Sequence, residues 1–349
     1  MNKTAKLKLI ILISFLLSSV FILNSCAKNS KKTAPKKIEI KKSFYSMGTF
    51  WEIKVVSDVK EREKDLRAVN FAIKRVKELD DILSDFRPSS NVSIINKYSG
   101  IKPVKANRYT LSLLKMSIKF QGLTENSFDV AIGPIMKIWG FYDKKYIVPS
   151  KAEIKKALFL SNPSFIKINN DTVLLKKKGM MLDFGGDGEG YGIDEALFVL
   201  KKYGIKNAMI NGGGQITAMG KNLKGRDWKV GLLNPLNKNK IIKIIRLKNE
   251  SIETSANYEN RFAYKGKYYG HIMNPMTGYP VDGNTLSDTV IVKNGYFRYP
   301  STVADALSCS FFILNKSRIS AVIKKLNKPI KVIIIKKTDK SQLKIYTLK

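Results

Sequence analysis

Hydrophobic and polar positions recur along the chain with two different periods. The segment "FWEIKVV", from Phe50 to Val56, has the β-branched and aromatic composition of a strand. Residues 61–84 repeat apolar side chains at helical spacing, which predicts an amphipathic helix. Four further helices are predicted over residues 110–122, 151–160, 301–314 and 317–326.

The second half of the chain combines strands with glycine-rich turns. The segments "KNAMIN" and "WKVGLLNP" predict strands, with Gly212, Gly213 and Gly214 between them. Residues 251–293 hold several short strand-like segments with turn signals such as "KGKYYG", and "PIKVIIIK" predicts a buried strand. Because strands and helices follow each other without strict alternation, the pattern predicts an α+β fold. We expect a single compact domain of mixed sheets with packed helices over residues 43–349.

The first 25 residues have the pattern of a secretory signal. Three lysines precede an apolar stretch, from Leu9 to Leu23, that is broken only by serines. This stretch is short for a membrane-spanning helix. It ends in "LNSC", which resembles a lipobox, so we expect residues 1–25 to be removed and Cys26 to be lipidated. An uncleaved membrane anchor is the alternative, and it gives nearly the same topology.

Residues 26–42 follow as a lysine-rich segment with few apolar side chains, which predicts a disordered tether. Its charge favours anionic headgroups, in agreement with an exported, lipid-anchored protein that faces the periplasm or the cell surface. The whole chain has a net charge of +35, but the lysines are spread over it, so we expect no nucleic-acid partner. Lipidation would use Cys26 and leave Cys309 alone, so no internal disulfide is expected.

The chain contains one histidine, His271, in the segment "GHIMNPMTGYPVDG". A single histidine excludes a two-histidine zinc site and the HExxH motif. On residue type alone, a structural role is the more common one. If His271 has a chemical role, it acts as a lone acid or base, or as a ligand-binding donor.

Glycine and acidic residues concentrate in the segment "DFGGDGEGYGID", from Asp183 to Asp194. It lacks the GK[ST] of a phosphate-binding loop, and its acids favour a metal or ligand hydroxyl and N–H groups over bare phosphate. In "TVADALSCS", Asp305 and Cys309 share one helical face. A buried Asp305 needs a partner or a metal, whereas an exposed one is favoured by the helix dipole; the sequence leaves both open.

Eight short motifs follow one another in an order that resembles a known family. They are "MGTFWEI", "LSDFRPSSNVSIIN", "NSFDVAIGPIMKIWGF", "DFGGDGEGYGID", "INGGGQITAMG", "ETSANYE", "HIMNPMTGYPV" and "VADALS". Each motif alone is weak, whereas the ordered set, over roughly residues 43–330, is specific. With this set the chain resembles the FAD:protein FMN transferases, or ApbE-type flavin transferases. Members are commonly exported lipoproteins, in agreement with lipidation at Cys26.

The resemblance implies that a Ser or Thr hydroxyl of an acceptor protein attacks FAD at the phosphorus of its FMN half. FMN becomes bound through a phosphoester, AMP leaves, and Mg²⁺ lies on the pyrophosphate. The implied metal ligands are the Gly186 carbonyl, the Asp305 carboxylate and a group at or near Cys309, and His271 is the implied base. The implied acceptor carries a Ser/Thr flavinylation motif and is a subunit of an exported or membrane redox complex.

Further positions match the family's flavin contacts. Met47 matches a methionine beside the flavin, and Phe86 stands where an aromatic residue stacks on a ring. The other matched positions are Ser127, Phe128, Asp129, Asp183, Glu189 and Ile272. From residue type alone, core packing is the alternative for Met47 and Phe86.

The chain departs from the family pattern near the implied metal. Cys309 stands where members usually have Thr, and a thiol is a poor Mg²⁺ ligand, so water or Ser308 is the alternative. Glu189 stands where many members have Lys. The other departures are Gln215, Ala256 and Asn274.

Other functions also fit parts of the sequence. The same site acting on water would be an FAD pyrophosphatase that gives FMN and AMP. A site with weak metal binding would be a lipid-anchored FAD-binding protein without turnover. A basic surface protein that binds nucleic acid or lipid is the fourth reading, and the even spread of lysine argues against it.

Overall fold

The computed structural model describes residues 36–256, 261–338 and 342–349. The predicted signal peptide, Cys26 and most of the predicted tether lie outside these residues. Within them, no helix has both the length and the apolar character needed to cross a membrane.

An eight-stranded sheet forms the centre of the domain, in the order β1-β2-β6-β7-β10-β15-β16-β17. Pairing is antiparallel from β2 to β17. These strands are β1 (Lys37–Ser46), β2 (Thr49–Asp58), β6 (Ala208–Gly212), β7 (Gln215–Met219), β10 (Glu250–Ala256), β15 (Thr285–Lys293), β16 (Ile330–Lys337) and β17 (Leu343–Leu348).

Within the described ranges, nine further strands form four small sheets. They are β3 (Val104–Lys105), β4 (Ile166–Asn169), β5 (Thr172–Leu175), β8 (Trp228–Asn234), β9 (Asn237–Leu247), β11 (Arg261–Tyr264), β12 (Lys267–Gly270), β13 (Met273–Asn274) and β14 (Tyr279–Pro280). The described residues also form eight α-helices. They are α1 (Arg62–Leu83), α2 (Asn91–Lys97), α3 (Arg108–Leu123), α4 (Gly133–Ile138), α5 (Lys151–Leu160), α6 (Gly188–Lys202), α7 (Pro300–Ile313) and α8 (Lys316–Leu326).

Both faces of the central sheet are covered, and β16 shows this most clearly. Val332 and Ile334 pack into the core formed with the helices, whereas Ile333 and Ile335 pack into the core under the β8–β9 hairpin. Successive side chains of a strand point to opposite faces, so a strand between two layers needs apolar residues at every position. This explains the continuous apolar run of "PIKVIIIK".

The predicted elements largely occur where the patterns place them, and the α+β prediction is confirmed. The strand from Phe50 is β2, and the helix predicted over residues 61–84 is α1. β7 was not predicted; this strand follows the Gly213–Gly214 turn directly and pairs with β6. A strand of five residues beside a glycine cluster gives little periodic signal.

The tether prediction was wrong at its end. Residues 26–42 were expected to be disordered, but β1 begins at Lys37 and the compact unit of the chain begins at Ile38. The lysines of "KIEIKKSFYS" stay exposed along an edge strand, and Lys41 forms an ion pair with Glu52 of β2 at 2.6 Å. Strand pairing outweighs the charged composition there, because a solvated edge tolerates lysine.

The sheet has two ends that differ in chemistry. The upper end holds the Met47 turn between β1 and β2, the Gly213–Gly214 turn, and Ala256 at the end of β10. The lower end holds the first residues of β1, β10 and β16 and the last residues of β15 and β17. The motifs of the sequence analysis therefore meet at the upper end.

Candidate functional site

Two cavities adjoin at the upper end of the sheet, and Gly185 lines both. The Met47 cavity, of about 410 Å³, holds three of the predicted residues: Met47, Phe86 and Glu189. The His271 cavity, of about 200 Å³, holds eight others. These are Ser127, Phe128, Asp129, Asp183, Gly186, His271, Ile272 and Cys309. The structure thus brings together predicted residues from six separate parts of the chain.

Met47 lies in the turn between β1 and β2 and has a positive φ of 50°. A Cβ atom at position 192 would lie 3.0 Å from the Met47 sulfur, so Gly192 of α6 leaves room for this side chain. Phe86 is 66% exposed on the opposite part of the cavity wall, and its ring meets Tyr142 edge-on at 5.4 Å. An exposed ring of this kind can stack on a flat ligand.

Two carboxyl groups and a phenol connect the cavities. The Tyr142 hydroxyl donates to Asp183 Oδ2 at 2.8 Å, and the Gly185 N–H donates to Asp183 Oδ1 at 2.7 Å. Asp85 lies beside them, and burial together with the charge of Asp183 raises its pKa to about 7. Asp85 and Tyr142 were not predicted, although Asp85 directly precedes Phe86 in the motif "LSDF".

The segment Ser127–Asp129 forms one wall of the His271 cavity. The Ser127 hydroxyl donates to the Thr124 carbonyl at 2.6 Å, which fixes the turn after α3. Asp129 accepts from the Ala131 N–H at 2.8 Å, and burial raises its pKa to about 7. The Asp129 carboxyl is therefore partly protonated near neutral pH, which lowers the negative charge of this wall.

The loop that carries His271 is held in place by its own turn and by a buried tryptophan. Met273 pairs with Pro280, and the Val281 N–H donates to the Ile272 carbonyl at 2.8 Å. The Trp139 indole N–H donates to the Gly278 carbonyl at 2.9 Å. These contacts restrain the loop.

Asp305 lies behind the two cavities and lines neither. It is 7% exposed on α7, and its Oδ2 accepts from the Gly190 N–H of α6 at 2.9 Å. Burial and, after it, the charge of Asp305 raise the pKa of Glu189 to about 8, and the same charge also raises the pKa of Cys309. Of the two alternatives for Asp305, the exposed one is therefore wrong.

Two oxygen groups lie beside a thiol where the resemblance implies a metal. Cys309 Sγ lies 3.9 Å from the Gly186 carbonyl oxygen and 3.9 Å from Ser255 Oγ. Burial and the charge of Asp305 hold the pKa of the thiol well above its usual range, so Cys309 remains a protonated, weak ligand. The Ser308 hydroxyl donates to the Asp305 carbonyl at 2.9 Å and forms a hydrogen bond with the Ser255 hydroxyl. Ser255 lines the His271 cavity, whereas Ser308 does not.

The surroundings of this point favour a cation. Glu253 Oε2 and both carboxylate oxygens of Asp288 are buried without a hydrogen-bond partner in the described residues. No three His, Cys, Asp or Glu side chains of the described residues converge into a ready-made metal site. Mg²⁺ does not need such a set, because it commonly takes one or two carboxylates and keeps several waters. The hard-oxygen donors and the surplus of buried carboxylates therefore fit Mg²⁺.

Several predicted departures from the family pattern have structural roles. The Gln215 amide donates to the Ser301 carbonyl at 2.7 Å and so connects β7 to α7. Asn274 Oδ1 accepts from the Met276 N–H at 2.9 Å within the His271 loop. A Cβ atom at position 213 would lie 2.7 Å from Glu189 Oε2, so Gly213 leaves room for that carboxylate.

Comparison with known proteins identifies extensive similarity. The ApbE family matches residues 47–334. The FAD:protein FMN transferase of Vibrio cholerae is 28% identical over 93% of both chains, and one from Klebsiella pneumoniae is 32% identical over 62% of this chain and 67% of its own. Among solved structures, the flavin transferase ApbE from Vibrio cholerae has a TM-score of 0.77 at 26% identity. It covers 89% of this chain and 97% of its own.

Proposed function

The chain belongs to the ApbE family, and from that premise we propose how its residues carry out flavin transfer. The chain is an FAD:protein FMN transferase, which moves the FMN half of FAD onto an acceptor protein. One observation carries the residue assignment. His271, Gly186 and Cys309 share a cavity that adjoins, at Gly185, the cavity of Met47 and Phe86.

We place the flavin ring of FAD in the Met47 cavity. This cavity is the larger of the two, and the exposed Phe86 ring together with the Met47 side chain offers apolar surface for a flat ring system. The pyrophosphate then lies beside Gly185 and Gly186, where the backbone has no side chain to keep it away. Glu189 stays largely protonated at neutral pH, because its pKa is raised to about 8, and so does not repel the phosphates.

We propose that Mg²⁺ is held by the Asp305 carboxylate, the Gly186 carbonyl and the Ser255 hydroxyl, with Cys309 as a neighbour. Bound there, the ion would neutralise charge on the pyrophosphate. Asp305 is oriented for this by the Gly190 N–H, which fixes one of its oxygens. The support is the set of hard-oxygen donors and the buried carboxylates around it.

His271 is the proposed general base. The imidazole lines the cavity that also contains Gly186, and imidazole is the side chain that most often takes up a proton in general base catalysis. It takes the proton of the acceptor hydroxyl as that oxygen forms a bond to the FMN phosphorus. The bond from this phosphorus to the bridging oxygen breaks, and AMP leaves with the electron pair.

The location of the protein and its acceptor are proposals from the sequence. The lipobox-like "LNSC" supports lipidation at Cys26 after export, with the domain held at a membrane surface. A membrane-bound redox subunit with a Ser/Thr flavinylation motif is the acceptor that fits such a location.

The activity is tested by incubating the domain with FAD, Mg²⁺ and a protein that carries a flavinylation motif. A mass increase of the acceptor by one FMN, with flavin fluorescence retained after denaturation, is the expected result. Free FMN and AMP without labelling would identify an FAD pyrophosphatase. Intact FAD that stays bound would identify a binding protein. Omission of Mg²⁺ tests the metal separately.

A further inference from the structure

A basic cavity of about 440 Å³ lies at the lower end of the sheet, opposite the proposed flavin site. It is formed by β9, the first residues of β10 and β16, and the last residue of β15. Its lining contains six cationic side chains and one carboxylate, that of Glu250. The cations are Lys243, Arg246, Lys293, Lys328, Lys331 and Lys349. We refer to this cavity and its rim as the lower basic surface.

Most of this positive charge is not neutralised by neighbouring groups. Lys293 lies 3.9 Å from Glu250 and donates to the Lys248 carbonyl. Lys243, Lys328, Lys331 and Lys349 form no salt bridge within the ranges that the structure describes. A shallower depression next to it shares Lys328 and Lys349 and adds Lys324. Clustered cations without counter-charges attract an anionic surface.

Exposed apolar side chains accompany the lysines. Ile241 and Ile244 of β9 are 59% and 60% exposed, and Ile244 lines the basic cavity. Lysine together with exposed aliphatic side chains is typical of a surface that lies against lipid headgroups, because the cations meet phosphates while the apolar groups enter the boundary below them. Exposed isoleucine side chains would not contribute to the binding of a soluble anion.

The topology orients this surface. β1 begins at the lower end, so the predicted tether joins the domain at the end that carries the lower basic surface. The Met47 turn follows the other end of β1. Because β1 has ten residues, its two ends are about 30 Å apart. The upper end carries the carboxyl groups of Asp85, Asp129 and Asp183 around the two cavities. The cavities at the two ends therefore differ in charge, since cations predominate in the lining of the lower one and carboxyl groups in the lining of the upper two.

We propose that the lower basic surface binds the headgroups of anionic phospholipids and turns the flavin site away from the bilayer. The upper end then faces the space from which an acceptor protein approaches. Binding of the lower basic surface to headgroups requires neither lipidation of Cys26 nor transfer activity, since it depends only on residues within 241–349. A result that contradicts the proposed function would therefore leave this proposal unchanged.

The test uses residues 36–349, which contain the strands and helices that the structure describes together with their hydrophobic cores. Sedimentation with phosphatidylcholine vesicles, with and without phosphatidylglycerol, measures binding in the absence of the lipid anchor. We expect binding only to the anionic vesicles and its loss at high ionic strength. Equal binding to both kinds of vesicle, or none to either, would overturn the proposal.

A triple variant, Lys243→Gln, Lys328→Gln and Lys331→Gln, tests the surface itself. Each lysine near an anionic membrane contributes about fivefold in partitioning, so the variant should bind roughly a hundredfold more weakly. The matched control removes three exposed lysines from α5, as Lys151→Gln, Lys155→Gln and Lys156→Gln. This helix packs against the His271 loop through Ile154.

The two triple variants must differ for the proposal to stand. Vesicle binding near the wild-type level is expected for the α5 control, and thermal unfolding should show both variants folded. Equal loss in both would mean that only net charge matters, which contradicts a localised surface. Unchanged vesicle binding with loss of transfer to a soluble acceptor would assign the surface to a protein partner instead.

Discussion

Asp194 and Asp305 each accept backbone hydrogen bonds from the first turn of the helix that carries the other. Asp194 of α6 accepts from the N–H groups of Ser301 and Thr302 at 3.1 and 2.9 Å, and Asp305 of α7 accepts from Gly190 at 2.9 Å. Each carboxylate thereby satisfies N–H groups that a helix start leaves without partners. The proposed metal ligand is therefore also part of the joint between two helices.

Asp305→Asn should separate these two roles. The amide oxygen can still accept from Gly190, and one buried charge is removed, so we expect a free energy of unfolding equal to the wild-type value or higher. Transfer and its dependence on Mg²⁺ should be lost, because a carboxylate ligand is gone. Urea denaturation and acceptor labelling measure the two effects. Asp305→Ala serves as the comparison and should lose about 1–3 kcal/mol of stability. Normal labelling by the Asn variant would remove Asp305 from the metal site.

His271→Ala should lower the transfer rate by about 10²–10⁴-fold while FAD affinity changes little. The chain has no second histidine that could replace the base. Single-turnover labelling gives the rate, and quenching of flavin fluorescence gives the affinity. His271→Gln keeps a polar side chain in the cavity and should be equally slow. A variant that labels at the wild-type rate would disprove the role of general base.

Cys309→Thr should increase the apparent affinity for Mg²⁺. The hydroxyl is a hard oxygen donor of similar size, whereas the protonated thiol is a weak ligand. We expect the Mg²⁺ concentration for half-maximal labelling to fall severalfold. Cys309→Ala is the control, since it removes the thiol without adding an oxygen. If both variants require as much Mg²⁺ as the wild type, this side chain does not face the metal.

Asp129→Asn should change stability in a pH-dependent way. The folded-state pKa of Asp129 is raised to about 7 by burial, so between its ordinary value and pH 7 the folded state binds more protons than the unfolded state. Stability contributed by this group is present at low pH and is lost as the pH rises through 7. The Asn variant avoids that loss and should be more stable than wild type at pH 8, by about 1–3 kcal/mol, with little difference near pH 4. Urea denaturation of the ligand-free domain at both pH values checks this. A constant difference across the range would contradict the raised pKa.

Gly190→Ala should be strongly destabilising. A Cβ atom there would lie 2.5 Å from the Ser301 carbonyl oxygen and 2.8 Å from Thr302 Cα, both on α7. The two helices would have to separate, and we expect a loss of about 3 kcal/mol or more. Gly122→Ala in α3 is the matched control, because nothing lies within 4 Å of its Cβ position. That change should be neutral or slightly stabilising, since alanine favours a helix. Similar melting temperatures for the two variants would refute the close approach.

The sequence predicted many of the helices and strands and the residue types of the site. It predicted less about contacts between residues that are distant in the chain. The periodicity of residues 61–84 predicted α1, because each apolar position repeats locally. Asp305 could not be placed from its neighbours, since its partner Gly190 lies 115 residues away. The Asp85, Tyr142 and Asp183 cluster was missed for the same reason. Asp85 and Asp183 come together only when the loop after α1 packs beside the loop before α6.

The resemblance contributed what periodicity lacked, because it matched motifs that lie far apart in the chain. Eleven matched positions occupy two adjoining cavities, which local pattern alone does not predict. Ser308 was one proposed replacement for the thiol ligand, yet its hydroxyl is used by the Asp305 carbonyl and by Ser255. Ser255 is the better candidate because it lines the cavity. The position of Ser255 relative to Cys309 depends on how β10 packs against α7. That packing joins two different motifs, so neither motif predicts it alone.

The indole of Trp139 has a consequence for motion. The short segment that ends in this residue begins with Ser127–Asp129 on the cavity wall, and its indole N–H donates to the Gly278 carbonyl of the His271 loop. An outward movement of the loop alone would break this hydrogen bond, whereas a joint movement of wall and loop would keep it. We therefore expect the His271 cavity to open by a concerted displacement of both pieces.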